Sequence, residues 1–218
     1  MANATSTRER ILDQGIALMS RSGLEGVTLG VLADQVGMSK SGLFAHFRSK
    51  EEVQISLLDH TAVVGAAHII APSMQQPEGL PRLKALVSNW FGWAPRAGLP
   101  GGCPVAAGLF EFDDVEGPVR NKILEMEAEW RGLLTNTVRE AMSRGHLRAD
   151  LDAVQFVWEL CGIYLSHHAA QRFLKSPDAD RRAHTAFQAL LARAAPVPVK
   201  KSPSQKPPPK RPADQALR

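Results

Sequence analysis

Apolar residues along this chain recur at intervals of three and four, the spacing that lines them up on one side of an α-helix, and no segment alternates as a strand would. Ser6, with Glu9 three residues later, reads as a capping box. Ile11, Leu12, Ile16 and Met19 follow it, and Gly23 ends the run. Thr28 heads a second helix carrying Leu29, Leu32, Ala33 and Val36, and Gly37 closes it, a residue that can take the positive φ of a tight helix-to-helix turn. Ser39 opens a third short helix with Leu43, Phe44 and Phe47. Ser49, with Glu52 three residues on, opens a fourth that can run to Ala71, before Pro72.

Beyond the Gln75–Pro81 connector, Leu83, Leu86, Val87 and Trp90 predict a fifth helix, and a Gly/Pro-rich break runs from Ala94 to Gly102. Pro104 to Phe112 forms a short helix. Pro118 then suits the first position of a long one that keeps its apolar spacing to Met142 and stops at Gly145. Asp152 caps a helix to about Lys175, and Asp178 or Asp180 starts the last, with Ala183, Ala186, Phe187, Leu190 and Leu191 on one face. The expected fold is all-α. From Pro196 the composition turns to Pro, Lys and Ser, so residues 196–218 are expected to be a disordered basic tail with too little apolar surface to fold.

Hydrophobic residues make up 44% of the 218, enough for a substantial core, but aromatics only 6%, so Leu, Ala and Val must fill most of it. The opening residues lack the apolar stretch of a secretory signal, and the longest apolar run, Ala62 to Ala71, is too short and too polar to span a bilayer. Cys103 and Cys161 form neither a disulfide framework nor a metal-type spacing. These features suit a cytoplasmic protein with no membrane partner, no metal and no cofactor. The net charge of +4 belongs to the tail, which carries six basic residues against Asp214 and leaves the rest at −1. What remains is local: Lys40, Arg48 and Lys50 fall between Met38 and Lys50 with no acid among them.

That small positive patch coincides with the segment T-L-G-V-L-A-D-Q-V-G-M-S-K-S-G-L-F-A-H-F, Thr28 to Phe47. Ala33 is small where two helices would cross closely, Gly37 makes the turn, and Val36, Met38, Leu43 and Phe47 can form a miniature core. Ser39, Lys40, Ser41 and His46 are then left on the exposed face of the second helix, where short hydrophilic side chains at a helix N-terminus suit phosphates and base edges. By pattern alone an ordinary capped helical hairpin stays open.

The opening T-R-E-R-I-L-D-Q-G-I-A-L-M, this central segment and the closing R-S-K-E-E-V together resemble the DNA-binding domain of the tetracycline-repressor (TetR) family, in order and at its spacing. The resemblance implies a helix-turn-helix domain over 5–65 with its motif at 28–47. It implies that Thr28 caps the second helix while touching a phosphate, and that Ser39, Lys40, Ser41 and Gly42 face the major groove with Leu43 among them. His46 would lie near a phosphate or base edge and Lys50 would meet the backbone. Phe44 stands where the family usually has a tyrosine whose hydroxyl bonds a phosphate; here only the ring remains.

The segment 75–195 is then expected to be a regulatory and dimerisation domain. The Asp152–Lys175 helix is apolar nearly all round, which asks for two partners, and a fully internal helix is the other reading. In the family the last two long helices of each subunit form a four-helix bundle. An effector pocket is expected from Trp90, Trp93, Cys103, Phe110, Trp130, Trp158, Tyr164 and His167, with His168 beside them, and the aromatic richness favours an apolar effector. Gly101 to Asp114 resembles one subgroup of the family's C-terminal domains. Cys103 is a pocket or structural cysteine before it is a thiol sensor. An enzyme is disfavoured: there is no G-x-S-x-G, H-E-x-x-H or P-loop, and adjacent His167 and His168 point about 100° apart on a helix, a poor chelate. An architectural DNA-binder is disfavoured by the near-neutral body. The expectation is a homodimeric repressor on a palindromic operator, released by a small effector; a ligand-independent regulator or an activator of the same fold is the alternative.

Overall fold

A computed structural model describes residues 6–196, and the tail expectation falls almost wholly outside the described residues. Those residues are helical, with no strand among them. The N-terminal unit contains α1 (Thr7–Ser22), α2 (Leu29–Val36), α3 (Lys40–Phe44) and α4 (Lys50–Gly65). Each begins on the hydroxyl that the sequence singles out. Ser6 and Glu9 exchange bonds in a full capping box. Thr28 accepts from Val31 N–H, Ser39 from Gly42 N–H and Ser49 from Glu52 N–H. The Glu52 carboxylate reaches back to Arg48 N–H at 2.8 Å, one residue earlier than a capping box would place it. Gly37 takes φ +68°, and Met38 N–H closes the turn onto the Ala33 carbonyl at 2.9 Å.

The fourth helix does not stop at Pro72. It passes through one wide turn, Ala66–Ile70, and continues as α5 (Ala71–Met74). In the wide turn Ala71 N–H donates to the Ala66 carbonyl five residues back, and this π geometry precedes the proline that has no N–H to donate and would crowd the carbonyl four residues earlier. By length and mean hydropathy (1.3) the Lys50–Met74 rod could cross a bilayer. Its residues Val53, Leu57, Leu58 and Ile69 are instead buried against other helices, as in a core helix.

The C-terminal part comprises α6 (Leu80–Trp90), α7 (Trp93–Arg96), α8 (Pro104–Glu111), α9 (Pro118–Ser143), α10 (Ala153–Arg172) and α11 (Ala179–Arg193). The single turn of α7 lies inside the Gly/Pro break and was not expected there. Its reason is Arg96, whose guanidinium donates to the Phe91 carbonyl at 2.9 Å and to the carbonyls of Ser88 and Asn89, satisfying the open end of α6. Asp152 caps α10 through Val154 and Gln155 N–H. The two last helices pack on each other and are tied by His167 Nε2 to Asp180 at 2.6 Å and by Arg193 to Glu159.

The two parts meet where α4 packs on α9, with Lys122 paired to Asp59 at 2.9 Å, and at a second, specific contact on α1. Gly101 N–H donates to Ser20 Oγ and Gly102 N–H to the Ser20 carbonyl, each at 3.0 Å, so the 98–103 loop docks on the end of α1. A Cβ on Gly101 would lie 1.7 Å from the Ser20 carbonyl oxygen, so only glycine allows this approach. Beside it, Glu111 at the end of α8 accepts from Glu25 N–H at 3.0 Å.

Candidate functional site: a helix-turn-helix and an apolar chamber

In the α2–turn–α3 unit, Leu32, Ala33, Leu43 and Phe47 are fully buried, while Val36 and Met38 pack against them. This core sets the face that α3 presents. Ser39, Lys40 and Ser41 are exposed, and the two serine hydroxyls lie 3.0 Å apart. Gly42 and His46 are half-buried, and Phe44 is 50% exposed, its ring turned to solvent with no hydroxyl to donate. Lys40 lies over the start of α2, its Nζ 3.5 Å from where a Gly30 Cβ would sit and so beside Thr28. Leu43 requires a correction: at 0% exposure it cannot meet DNA. It faces inward with Phe47 four residues on, and its role is to hold the helix.

Lys50 is held at 2.9 Å by Glu25, a partner the local sequence could not reveal because the loop before α2 comes alongside only in the fold. The Lys50 ammonium in turn holds the Glu25 carboxyl below the usual carboxylate range. Sequence reading also missed Arg8. Its guanidinium sits 4.9 Å above the Phe47 ring and donates to Ser56 Oγ at 3.1 Å, placing a further cation at the foot of α3.

Behind the reading unit lies a chamber of about 350 Å³. One wall is the distal half of the α4 rod, with Thr61, Gly65, Ala66 and Ile69; the other comes from α6 to α10. Of the sequence candidates, Trp90, Trp93, Cys103, Trp130 and Tyr164 all line it. Trp90 stacks on Tyr164 with centroids 3.9 Å apart and meets Trp130 edge-on at 5.0 Å. Trp93 Nε1 donates to Tyr164 Oη at 3.2 Å, whereas Trp130 Nε1 is buried without a partner. Glu127 and Arg131 pair at 3.0 Å at the chamber wall. Burial pushes the Cys103 thiol and the Tyr164 hydroxyl up, and Cys161 up to about 11, so all three are neutral apolar-wall groups near pH 7 rather than reactive ones.

Three expected lining residues are placed elsewhere. Phe110 is 66% exposed: its neighbours Ala106 and Leu109 turn inward on α8, and a step of about 100° carries Phe110 outward. Trp158 is 64% exposed, sharing the outer face of α10 with Val154 while Phe156, Val157, Leu160 and Cys161 face the core. His167 lies one turn past Tyr164, outside the apolar chamber but on the wall of an adjoining cavity, and is bound to Asp180. The α4 wall was missed because those residues carry no local sign of a cavity, only a helical rhythm.

Residues 11–56 match "Bacterial regulatory proteins, tetR family", and residues 79–187 match "Tetracyclin repressor-like, C-terminal domain". The nucleoid occlusion factor SlmA of Cronobacter sakazakii is 29% identical over 179 residues, 79% of this chain and 88% of that protein. A TetR-family regulator of Cytophaga hutchinsonii superposes with a TM-score of 0.78 at 20% identity, over 91% of this chain and all of that one. A TetR regulator of Chloroflexus aurantiacus gives 0.75 at 24%, covering 85% and 92%. The two profile matches take in both halves of the molecule just described, reading unit and chamber alike, and the chain belongs to the TetR family of bacterial transcriptional regulators.

Proposed function

We propose that this protein is a dimeric repressor that leaves a palindromic operator when a small, largely apolar effector fills the 350 Å³ chamber. One observation carries the reading: a single helical rod, Lys50–Met74, begins beside the reading helix and ends as the chamber wall, so an object in the chamber touches the same element that sets the reading helix. Ser39, Lys40, Ser41 and Gly42 meet the groove, Thr28, His46 and Lys50 the phosphates, and the Phe44 ring packs at the edge. Two reading heads are needed, because three cations make a weak site alone and half-sites roughly 34–36 Å apart let two act together. The second copy is expected on the outer face of α10 and α11, where Trp158 and Val154 stand exposed beside a groove floored by Ala183 and Ala186. The work is cytoplasmic, where the operator lies.

The reading is tested by selecting bound sequences from a random DNA pool and then titrating apolar compounds against the complex. A two-fold symmetric site that is released by at least one compound is expected. A symmetric site insensitive to every compound would make the protein a ligand-blind regulator, and an asymmetric or random yield would remove the dimer.

The Glu25–Lys50 pair predicts that DNA binding is held in check. Glu25→Gln frees Lys50 for phosphate and is expected to tighten operator binding roughly two- to five-fold, as suits an exposed pair. Fluorescence anisotropy on a labelled duplex reads this directly; weaker binding would mean that Glu25 aims Lys50 rather than restrains it.

A further inference from the structure

Next to the apolar chamber is a second one of about 670 Å³, between the Gly92–Cys103 segment and the end of α10. Trp93, Cys103 and Tyr164 line both. The rest of its lining is of another kind: His167, His168, Gln171, Arg172 and Lys175 face the loop, and no carboxylate is among the lining residues. Neither Arg172 nor Lys175 enters an ion pair among the described residues. The neighbouring acid, Asp180, is already taken by His167 Nε2 at 2.6 Å and Gln171 Nε2 at 2.8 Å. Burial, then the Arg172 charge and His167, hold the His168 imidazole below its usual range, which leaves it neutral and able to donate one N–H.

A backbone observation points the same way. Lys175 has φ +51°, and no other non-glycine among the described residues has a positive φ. A lysine there sits against the backbone preference that favours glycine just past a helix, and strain of this kind is kept where the side chain has work to do. A Cβ on Gly102 would lie 2.5 Å from His168 Cε1 and 3.0 Å from the Arg172 stem, so at this point the loop is pressed onto the two side chains.

We infer that the effector is an amphipathic anion, its apolar body in the 350 Å³ chamber and its carboxylate, sulfonate or phosphate head between Arg172, Lys175 and His168 in the adjoining one, parting the Trp93–Cys103–Tyr164 wall that the two share. This rests on the apolar chamber being the effector site. Arg172, half-buried, and Lys175, exposed, bring two positive charges with no carboxylate partner among the described residues, and charge-assisted bonds to Arg and Lys are stronger than neutral ones.

The test uses the full chain and two fluorescent probes with the same aromatic body, 1-anilinonaphthalene-8-sulfonate and uncharged N-phenyl-1-naphthylamine. The wild type is expected to bind the sulfonate about tenfold tighter or more, from two charge-assisted contacts. Arg172→Gln with Lys175→Gly is expected to abolish that preference and leave the uncharged probe unchanged. Glycine suits the Lys175 backbone, so the double variant should keep its helicity and melting point. Ala66→Trp, which fills the mouth of the apolar chamber from an exposed position, should weaken both probes. Equal affinities in the wild type, or a preference that survives the double variant, overturn the anionic head and spare the chamber. Failure of both probes to bind, or indifference of both to Ala66→Trp, overturns the chamber as effector site and the inference with it.

Discussion

Phe47→Ala is expected to lower the stability of the N-terminal unit by about 3–5 kcal/mol and to remove operator binding, although the residue touches no DNA. Its ring has no exposed surface, lies under the Arg8 guanidinium, and closes the small core formed with Leu32, Ala33 and Leu43. The α2–turn–α3 unit is two short helices of eight and five residues, and Phe47 is the largest side chain in the core between them. α3 is only a turn and a half long and cannot hold its own direction once that support is gone. Urea unfolding followed by circular dichroism should show an early transition in the variant, with the long helices α9 to α11 melting later. Near-normal stability together with lost DNA binding would instead assign the ring to the contact surface.

Lys40→Ala carries the second large effect, and it separates two kinds of contact. Each phosphate-neutralising lysine adds about 0.9 to the slope of log affinity against log salt, and a dimer presents Lys40 twice. If Lys40 neutralises a phosphate from within the groove, the variant loses nearly two from that slope and binds roughly 30-fold more weakly near 0.15 M salt. If Lys40 meets phosphate, all sequences weaken alike; if it reads a base edge, the weakening is concentrated at one position of each half-site. Binding isotherms at four salt concentrations, on the selected operator and on single-base variants, distinguish these. A slope and affinity equal to wild type would displace the reading helix from the interface.

The elements were legible because their signals are local. Ser6, Thr28, Ser39, Ser49 and Asp152 are caps whose partners lie two or three residues away, and they sit where the spacing put them. The exposed face of α3 followed from the same rhythm, except that Leu43 belongs to its inner side. The chamber was half legible. Large aromatics mark buried surface but not which void they border, so Trp90, Trp93, Trp130 and Tyr164 came together while Phe110 and Trp158 faced solvent. What stayed hidden depends on pairs far apart in the chain: Glu25 with Lys50, Ser20 with Gly101, and the aliphatic α4 wall against the tryptophans. No periodicity encodes such meetings. Pro72 misled for a local reason, since a proline ends a helix only if the preceding turn cannot widen to receive it.

The wide turn at Ala66–Ile70 is in effect a spare residue wound into the rod, and it lies where Gly65, Ala66, Ile69 and Ile70 border the chamber. Taking up that slack re-phases the two ends of the rod against each other by about 100° and 1.5 Å, one residue's worth of screw motion. Above the defect α5 packs on α6; below it α4 packs on α1 and α9 and begins at Lys50, beside the α2–turn–α3 unit. A molecule that favoured either winding of this one turn would act at the coupling of a drive shaft, with α1 and α9 as the bearings that α4 must turn against.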